Sequence, residues 1–133
     1  MKKTLIVVDM QKDFIDGSLG TAEALEIVPK VIKKARDYEG EVIFTLDTHF
    51  ENYADTQEGH NLPVLHCVRG TAGWEICKEL KPFTGNAQIV DKVTFGSMEL
   101  GPLLQELHEE IKAYQKHDRA NVFSYAKSSV KEY

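Results

Sequence analysis

This chain is short of cysteine, of net positive charge and of long apolar runs, and each shortage excludes a class of protein. Its 133 residues hold two cysteines, Cys67 and Cys77. Two are too few for a disulfide framework, so reduced thiols are expected. Lysine and arginine together number 16 against 21 aspartates and glutamates, a formal charge of −5. Without a basic surplus there is nothing to neutralise a phosphate backbone, and nucleic acid is not the expected partner. No apolar stretch approaches the roughly 20 residues of a membrane span. The opening Met1-Lys2-Lys3 followed by Thr4-Leu5-Ile6-Val7-Val8 imitates a signal peptide but stops at Asp9. That is short of the about 7–15 apolar residues of a secretory core. A cytoplasmic protein with no membrane partner is expected. What remains, 42% hydrophobic and 28% charged residues, is ordinary for one globular domain with a real core.

Leu5 to Val8 is a continuous apolar run, mostly β-branched, which suits a strand buried on both faces. Residues 10–20 turn polar and glycine-containing (Asp16-Gly17-Ser18-Leu19-Gly20), as a loop leaving a sheet would. From Ala22 to Tyr38 the apolar positions Ala24, Leu25, Val28, Val31, Ile32 and Ala35 recur at helical spacing. Pro29 is expected to divide this stretch into a short opening turn and a main helix, which Gly40 would stop. Val42 to Leu46 reads as a second buried strand closing at Asp47, and strand–helix–strand implies a parallel sheet. Residues 47–70 form a long segment of little periodicity with three of the five histidines, the kind of loop that carries function. Thr71 is placed to cap a helix to about Leu80, with Trp74 and Cys77 on one face. Ala87 to Val90 is a third strand ending at Asp91-Lys92, and Met98 to Ile111 a further amphipathic helix.

After Ile111 a fourth buried strand is expected and no apolar run supplies it. Tyr114 to Tyr133 is polar, with a weak stripe at Val122, Ala126, Val130 and Tyr133 that suits one solvent-washed helix. The expected architecture is therefore α/β, a three-layer parallel sheet flanked by helices and lacking its last strands. Residues 1–111 would form the core and 112–133 a divergent, helical tail.

Three charged residues stand at carboxyl ends of strands: Asp9, Asp47 and Lys92. Ligands of open α/β sheets bind in the crevice beyond those ends. One such residue is often only the polar terminus of a strand, but three on one edge suggest a site. Asp47-Thr48-His49, with Glu58, His60 and His66 on the same loop, supplies the carboxylate and imidazoles that borderline divalent metals such as Zn²⁺, Fe²⁺ or Mn²⁺ prefer. Asp47 and His49, two apart in extended chain, point to the same side and can reach one ion. The plainer alternative is a polar loop that happens to contain histidines.

Three blocks, Val7-Val8-Asp9-Met10-Gln11-Lys12-Asp13-Phe14, Thr45-Leu46-Asp47-Thr48-His49 and His66-Cys67-Val68-Arg69-Gly70-Thr71, resemble nicotinamidases and their relatives among the isochorismatase-like cysteine hydrolases. The resemblance covers about residues 3–105 and implies a Rossmann-like fold and the hydrolysis of nicotinamide, or a similar small amide, to nicotinate and ammonia. It implies Asp9 as general base, Lys92 as the cation beside it, and a downstream cysteine as nucleophile. It also implies Asp47, His49 and His66 as metal ligands, with Glu58 the fourth or else His60 or Glu51, and Phe14 as the aromatic against the substrate ring. The metal would hold the ring nitrogen. The tryptophan many relatives carry before the last metal histidine is replaced by Leu62-Pro63-Val64.

The nucleophile of that family follows a fourth strand, and no cysteine follows Cys77 here. Cys67 and Cys77 read more simply as packing thiols. A truncated or frame-shifted member, a pseudoenzyme that keeps the metal pocket, and a chain completed by a partner all fit. Self-association into a homo-oligomer would cover a sheet left exposed by missing strands. From another class, a receiver-type phosphoacceptor module would use Asp9 and Asp13 on Mg²⁺.

Overall fold

Apolar runs closed by a charged residue form three adjacent strands of the sheet. The computed structural model describes residues 3–94, 96–97, 99–105, 122–126 and 129–132. Strands β1 (Thr4–Val8), β2 (Glu41–Asp47), β3 (Gln88–Lys92), β4 (Val122–Ala126) and β5 (Ser129–Glu132) form one sheet in the order β3-β2-β1-β4-β5. The first four are parallel and β5 runs antiparallel to β4. Val8 lies opposite Thr45 on one side and Ala126 on the other, while Asp47 lies opposite Lys92. The order reverses at β1, which makes its carboxyl end a switch point of the kind where α/β proteins open a crevice.

Alternation along β1 and β2 divides the core between two faces. Leu5, Val7, Phe44 and Leu46 pack with Val31 and Ala35 of helix α2 (Ala22–Asp37) and with Ile76 and Leu80. Ile6, Ile43 and Val90 face the other way, against Leu100, Leu103 and Leu104 of the helical residues 100–105. The sheet is thus covered on both sides, as the unbroken apolar runs require. Among the described residues no helix is long and apolar enough to cross a membrane.

Several local expectations are corrected. The helix over 22–38 is not divided: α2 runs through Pro29 without interruption, its start capped by the Thr21 hydroxyl, which accepts from the Ala24 amide at 3.0 Å. Pro29 and Leu25, whose carbonyl loses its partner, are both exposed, so that carbonyl faces solvent where in a buried helix it would be left unsatisfied. Gly40 lies beyond the helix end with φ of 147°, and a Cβ there would come 2.7 Å from the Lys3 carbonyl oxygen. The polar stretch 10–20 contains a helical turn, α1 (Lys12–Ile15), with Phe14 and Ile15 buried.

The helix expected from Thr71 to Leu80 reduces to a 3-10 turn at Ala72–Trp74. Residues 75–77 are then extended before the chain turns again at 78–83, because their main chain bonds to the segment after β1: Lys12 N donates to Glu75 O at 3.0 Å and Cys77 N to Met10 O at 2.9 Å. The expected helix in the tail is likewise absent from its described part. Val122 and Ala126 belong to β4 and Val130 to β5, so a strand does pair beside β1 although no apolar run announces one. An inner sheet edge offers a row of unpaired main-chain groups, and pairing with it outweighs a weak helical stripe. Tyr114, Tyr133, the boundary at 111–112 and the second half of the helix expected from Met98 to Ile111 lie outside the described residues.

Candidate active site and metal centre

Parallel register brings the three strand-end charges together. Asp9 follows β1, Asp47 closes β2 and Lys92 closes β3, and all three are buried. Lys92 Nζ lies 2.8 Å from Asp9 Oδ2 and 3.8 Å from Asp47 Oδ1. The Thr45 hydroxyl donates to Asp9 Oδ1 at 2.7 Å and accepts from the Asp9 amide at 3.1 Å. Both carboxylate oxygens of Asp9 are therefore held. Asp9 itself has φ of 53°, a left-handed conformation that a short acidic side chain tolerates better than most and that recurs at functional sites.

The second cluster grows from the same strand. Past Asp47 the chain stays extended and His49 bridges to Val68, with His49 N donating to Cys67 O and Arg69 N to His49 O, each at 2.9 Å. This bridge delivers His66 beside His49. Helix α3 (Gln57–Asn61), capped by the Thr56 hydroxyl, delivers Glu58. Asp47, His49, Glu58 and His66 each offer a ligand atom, all within 4.8 Å of one another. Asp47 Oδ2 lies 3.0 Å from His49 Nε2 and 3.3 Å from His66 Nε2, and Glu58 Oε1 lies 3.8 Å from His49 Nε2.

These residues fit a divalent cation. Asp47 Oδ1, Glu58 Oε1 and His66 Nε2 are buried without a hydrogen-bond partner, a costly arrangement unless something else satisfies them. His66 Nδ1 lies 2.6 Å from the Val64 carbonyl oxygen. A carbonyl only accepts, so the proton sits on Nδ1 and the Nε2 lone pair is free to coordinate, as second partners of metal-bound histidines usually arrange. Asp9, Asp47 and Glu58 also set three carboxylates against the one ammonium of Lys92, an imbalance that a dication would cancel.

Electrostatics ties the two clusters together. Burial works to raise the Asp47 pKa, but the close approach of His66, whose Nε2 lies 3.3 Å away, and the charges of Lys92 and His49 outweigh it and hold the carboxyl below its usual range. Burial lowers His66, yet the Asp47 carboxylate 3.3 Å from its Nε2, the bond to the Val64 carbonyl and the charge of Glu58 leave it raised.

The remaining candidates separate cleanly. His60 and Glu51 are exposed and outside the four-donor cluster. Phe14 is buried with its ring 5.4 Å from that of His66, on the metal side of the site. Asp13, needed beside Asp9 by a receiver-type site, instead accepts from the amides of Cys67 at 2.8 Å and Ser18 at 3.4 Å. Neither cysteine is in a disulfide and both are buried. Cys77 belongs to the α2-side core, and burial pushes its thiol up to about 11. Thr45 and Tyr53 received no role from sequence reasoning. Thr45 was recognisable in principle, two residues before Asp47 and so on the same side of β2. Tyr53 carried no signal: its ring packs edge-on against His49 at 4.7 Å and His66 at 5.1 Å, and its hydroxyl donates to the Leu62 carbonyl at 2.6 Å.

Fold and site together define a doubly covered parallel α/β protein with a charged crevice and a four-donor cluster at the carboxyl edge. The family described as Isochorismatase domain matches residues 3–116, and the chain belongs to that family. Among solved structures it is similar to the pyrazinamidase of Pyrococcus horikoshii in complex with zinc, with 31% identity, coverage of 81% of this chain and 66% of that one, and a TM-score of 0.67. It is similar to the nicotinamidase/pyrazinamidase of Bacillus subtilis at 25% identity, 80% and 66% coverage and a TM-score of 0.70. For the N-carbamoylsarcosine amidase of Thermoplasma acidophilum the values are 30%, 81%, 63% and 0.66. The chain thus spans just under two thirds of the length of these proteins. No curated protein sequence matches it.

Proposed function

We propose that this chain is a nicotinamidase-like amidohydrolase in its binding chemistry, taking a small amide such as nicotinamide at the carboxyl edge of the sheet. The observation that carries this reading is the held Asp9–Lys92 pair, 2.8 Å apart, beside four convergent metal donors. The three similar structures, two pyrazinamidases and an N-carbamoylsarcosine amidase, support an amide as substrate. Asp9 is the base and Lys92 is the cation beside it. Asp47, His49, Glu58 and His66 hold the divalent ion, of which zinc is one candidate because one similar protein was solved with it. When bound, the ion supplies a Lewis acid for a substrate ring nitrogen. Phe14 walls the pocket on the His66 side.

In the hydrolysis implied by the family, a thiol gives its proton to Asp9 and the thiolate attacks the amide carbonyl. The C–N bond breaks, ammonia leaves, and water releases the acid. Cys77 is a poor source of that thiol, because it packs in the α2-side core and burial pushes it up to about 11. The sequence after β4 reads Lys127-Ser128-Ser129, none of them cysteine. That favours a second reading, a protein that binds metal and amide without turnover. Ammonia release from nicotinamide by the purified chain, with Zn²⁺, Fe²⁺ or Mn²⁺ supplied, separates the two. Turnover abolished by Asp9→Ala supports the hydrolase, turnover that survives this change removes Asp9 as base, and a folded, metal-loaded chain without turnover supports the binding protein.

A further inference from the structure

Asp47 is held on one side by a side chain where a sheet would normally supply a strand. Strand β1 hydrogen-bonds β2 only as far as Asp9, whose amide donates to the Thr45 carbonyl at 3.1 Å. The left-handed turn at Asp9 then takes the main chain out of the sheet. Successive residues of a strand direct their N–H and C=O to alternate sides. Thr45 and Asp47 therefore both point toward β1, while Thr48 points toward β3, its amide donating to Lys92 O at 2.7 Å. Beyond Thr45, the polar groups of Asp47 face a gap in the ladder.

The carboxamide of Gln11 fills this gap. Its Oε1 accepts from the Asp47 amide at 2.8 Å and its Nε2 donates to the Asp47 carbonyl at 2.8 Å. The second Nε2 hydrogen goes to the Trp74 carbonyl at 2.7 Å. Gln11 is completely buried, and one donor and one acceptor at its tip reproduce what a passing strand would present. Glutamate has no hydrogen to donate when ionised, asparagine is one methylene short, and methionine has the length with neither group.

We propose that Gln11 is a positioning residue for the metal centre, standing in for the missing strand so that the Asp47 carboxylate meets His49, Glu58 and His66. This rests on reading those four as metal ligands. Asp47 Oδ1 has no hydrogen-bond partner, so the direction of the carboxylate depends strongly on the main chain that carries it. Outer partners of metal ligands typically change affinity about 10- to 100-fold when removed.

The test is Zn²⁺ affinity, measured by competition with a chromophoric chelator, for the wild-type chain and three variants. Gln11→Met and Gln11→Asn are both expected to bind Zn²⁺ about 10- to 100-fold more weakly. Val31→Ala, in the α2 core away from the site, is the control for general destabilisation and should stay within about twofold of wild type. A folded Gln11→Met chain that binds as tightly as wild type overturns the proposal, as does a Val31→Ala chain weakened equally. If Gln11→Met does not fold, Gln11→Asn decides by the same criterion. Failure of the underlying metal reading looks different: the wild-type chain itself would then bind no Zn²⁺, Fe²⁺ or Mn²⁺.

Discussion

The two halves of the site are built to different degrees. In the proposed metal half, Asp47, His49, Glu58 and His66 offer donors within 4.8 Å of one another, with Gln11 holding the Asp47 main chain and the Val64 carbonyl holding His66 Nδ1. In the proposed hydrolytic half, Asp9 and Lys92 are paired at 2.8 Å, and both cysteines of the sequence are buried, Cys77 in the α2-side core. The difference follows from chain topology. The metal half comes from one strand end and the loop that follows it, residues 47–66, closed by the local bridge between His49 and Val68. The hydrolytic half draws on separate strands, so a complete one depends on every strand arriving with its own residue.

Removing a metal donor should separate the halves most sharply. Asp47→Ala should bring bound divalent metal from about one equivalent to below about a tenth, because a four-donor site loses one of its two carboxylates. Elemental analysis after gel filtration checks this, and full retention of metal would transfer the site elsewhere. Next in size is Lys92→Ala, which strands the buried carboxylate of Asp9 without its cation. Breaking such a pair from one side costs about 3–5 kcal/mol, read as a fall in the urea midpoint. A change below 1 kcal/mol, on the order of an exposed pair, would mean that the two charges are not coupled.

A smaller effect is expected from pH in the metal-free chain. The Asp47 carboxyl is lowered in the folded state, so its contribution is present above its ordinary value of 3.8 and is lost as pH falls through the lower folded value. His66 is raised above 6.5, so its contribution is present below 6.5 and is lost as pH climbs through the higher folded value. Melting temperature against pH should therefore fall at both ends, and Asp47→Asn should flatten both arms. Equal arms in wild type and variant would show that this pair does not govern them. The smallest effects belong to His60→Ala and Glu51→Ala, both exposed and outside the cluster. Metal content should be unchanged in each, and loss of metal in either would displace Glu58 as fourth donor.

Much of this was legible in the sequence because it is periodic or terminal. The runs Leu5 to Val8 and Val42 to Leu46 announce buried parallel strands, and the charges that end them, Asp9 and Asp47, fall in one place because parallel strands end at one edge. Asp47 and His49 meet because extended chain repeats every two residues. Other features had no such local sign. The 71–80 segment carries a plausible cap at Thr71, yet its main chain is taken by the residues after β1. Val122 and Ala126 lie on a helix-like stripe, yet Val122–Ala126 pairs beside β1. Tyr53 gives no clue that its ring packs between two histidines.

Composition, strand periodicity and the three motif blocks by themselves determined the α/β class, the family and the candidate residues, since these depend on which side chains recur at which spacing. Tertiary structure decided which candidates meet. Glu58 rather than His60 or Glu51 enters the cluster because α3 is seated on the Tyr53 turn, where even a Cβ at Gly59 would collide with the Tyr53 carbonyl. Gln11 finds Asp47 because β1 leaves the sheet at Asp9. Contacts of that kind span 36 residues of chain, and only the packing of the whole sheet brings such distant groups within hydrogen-bond distance.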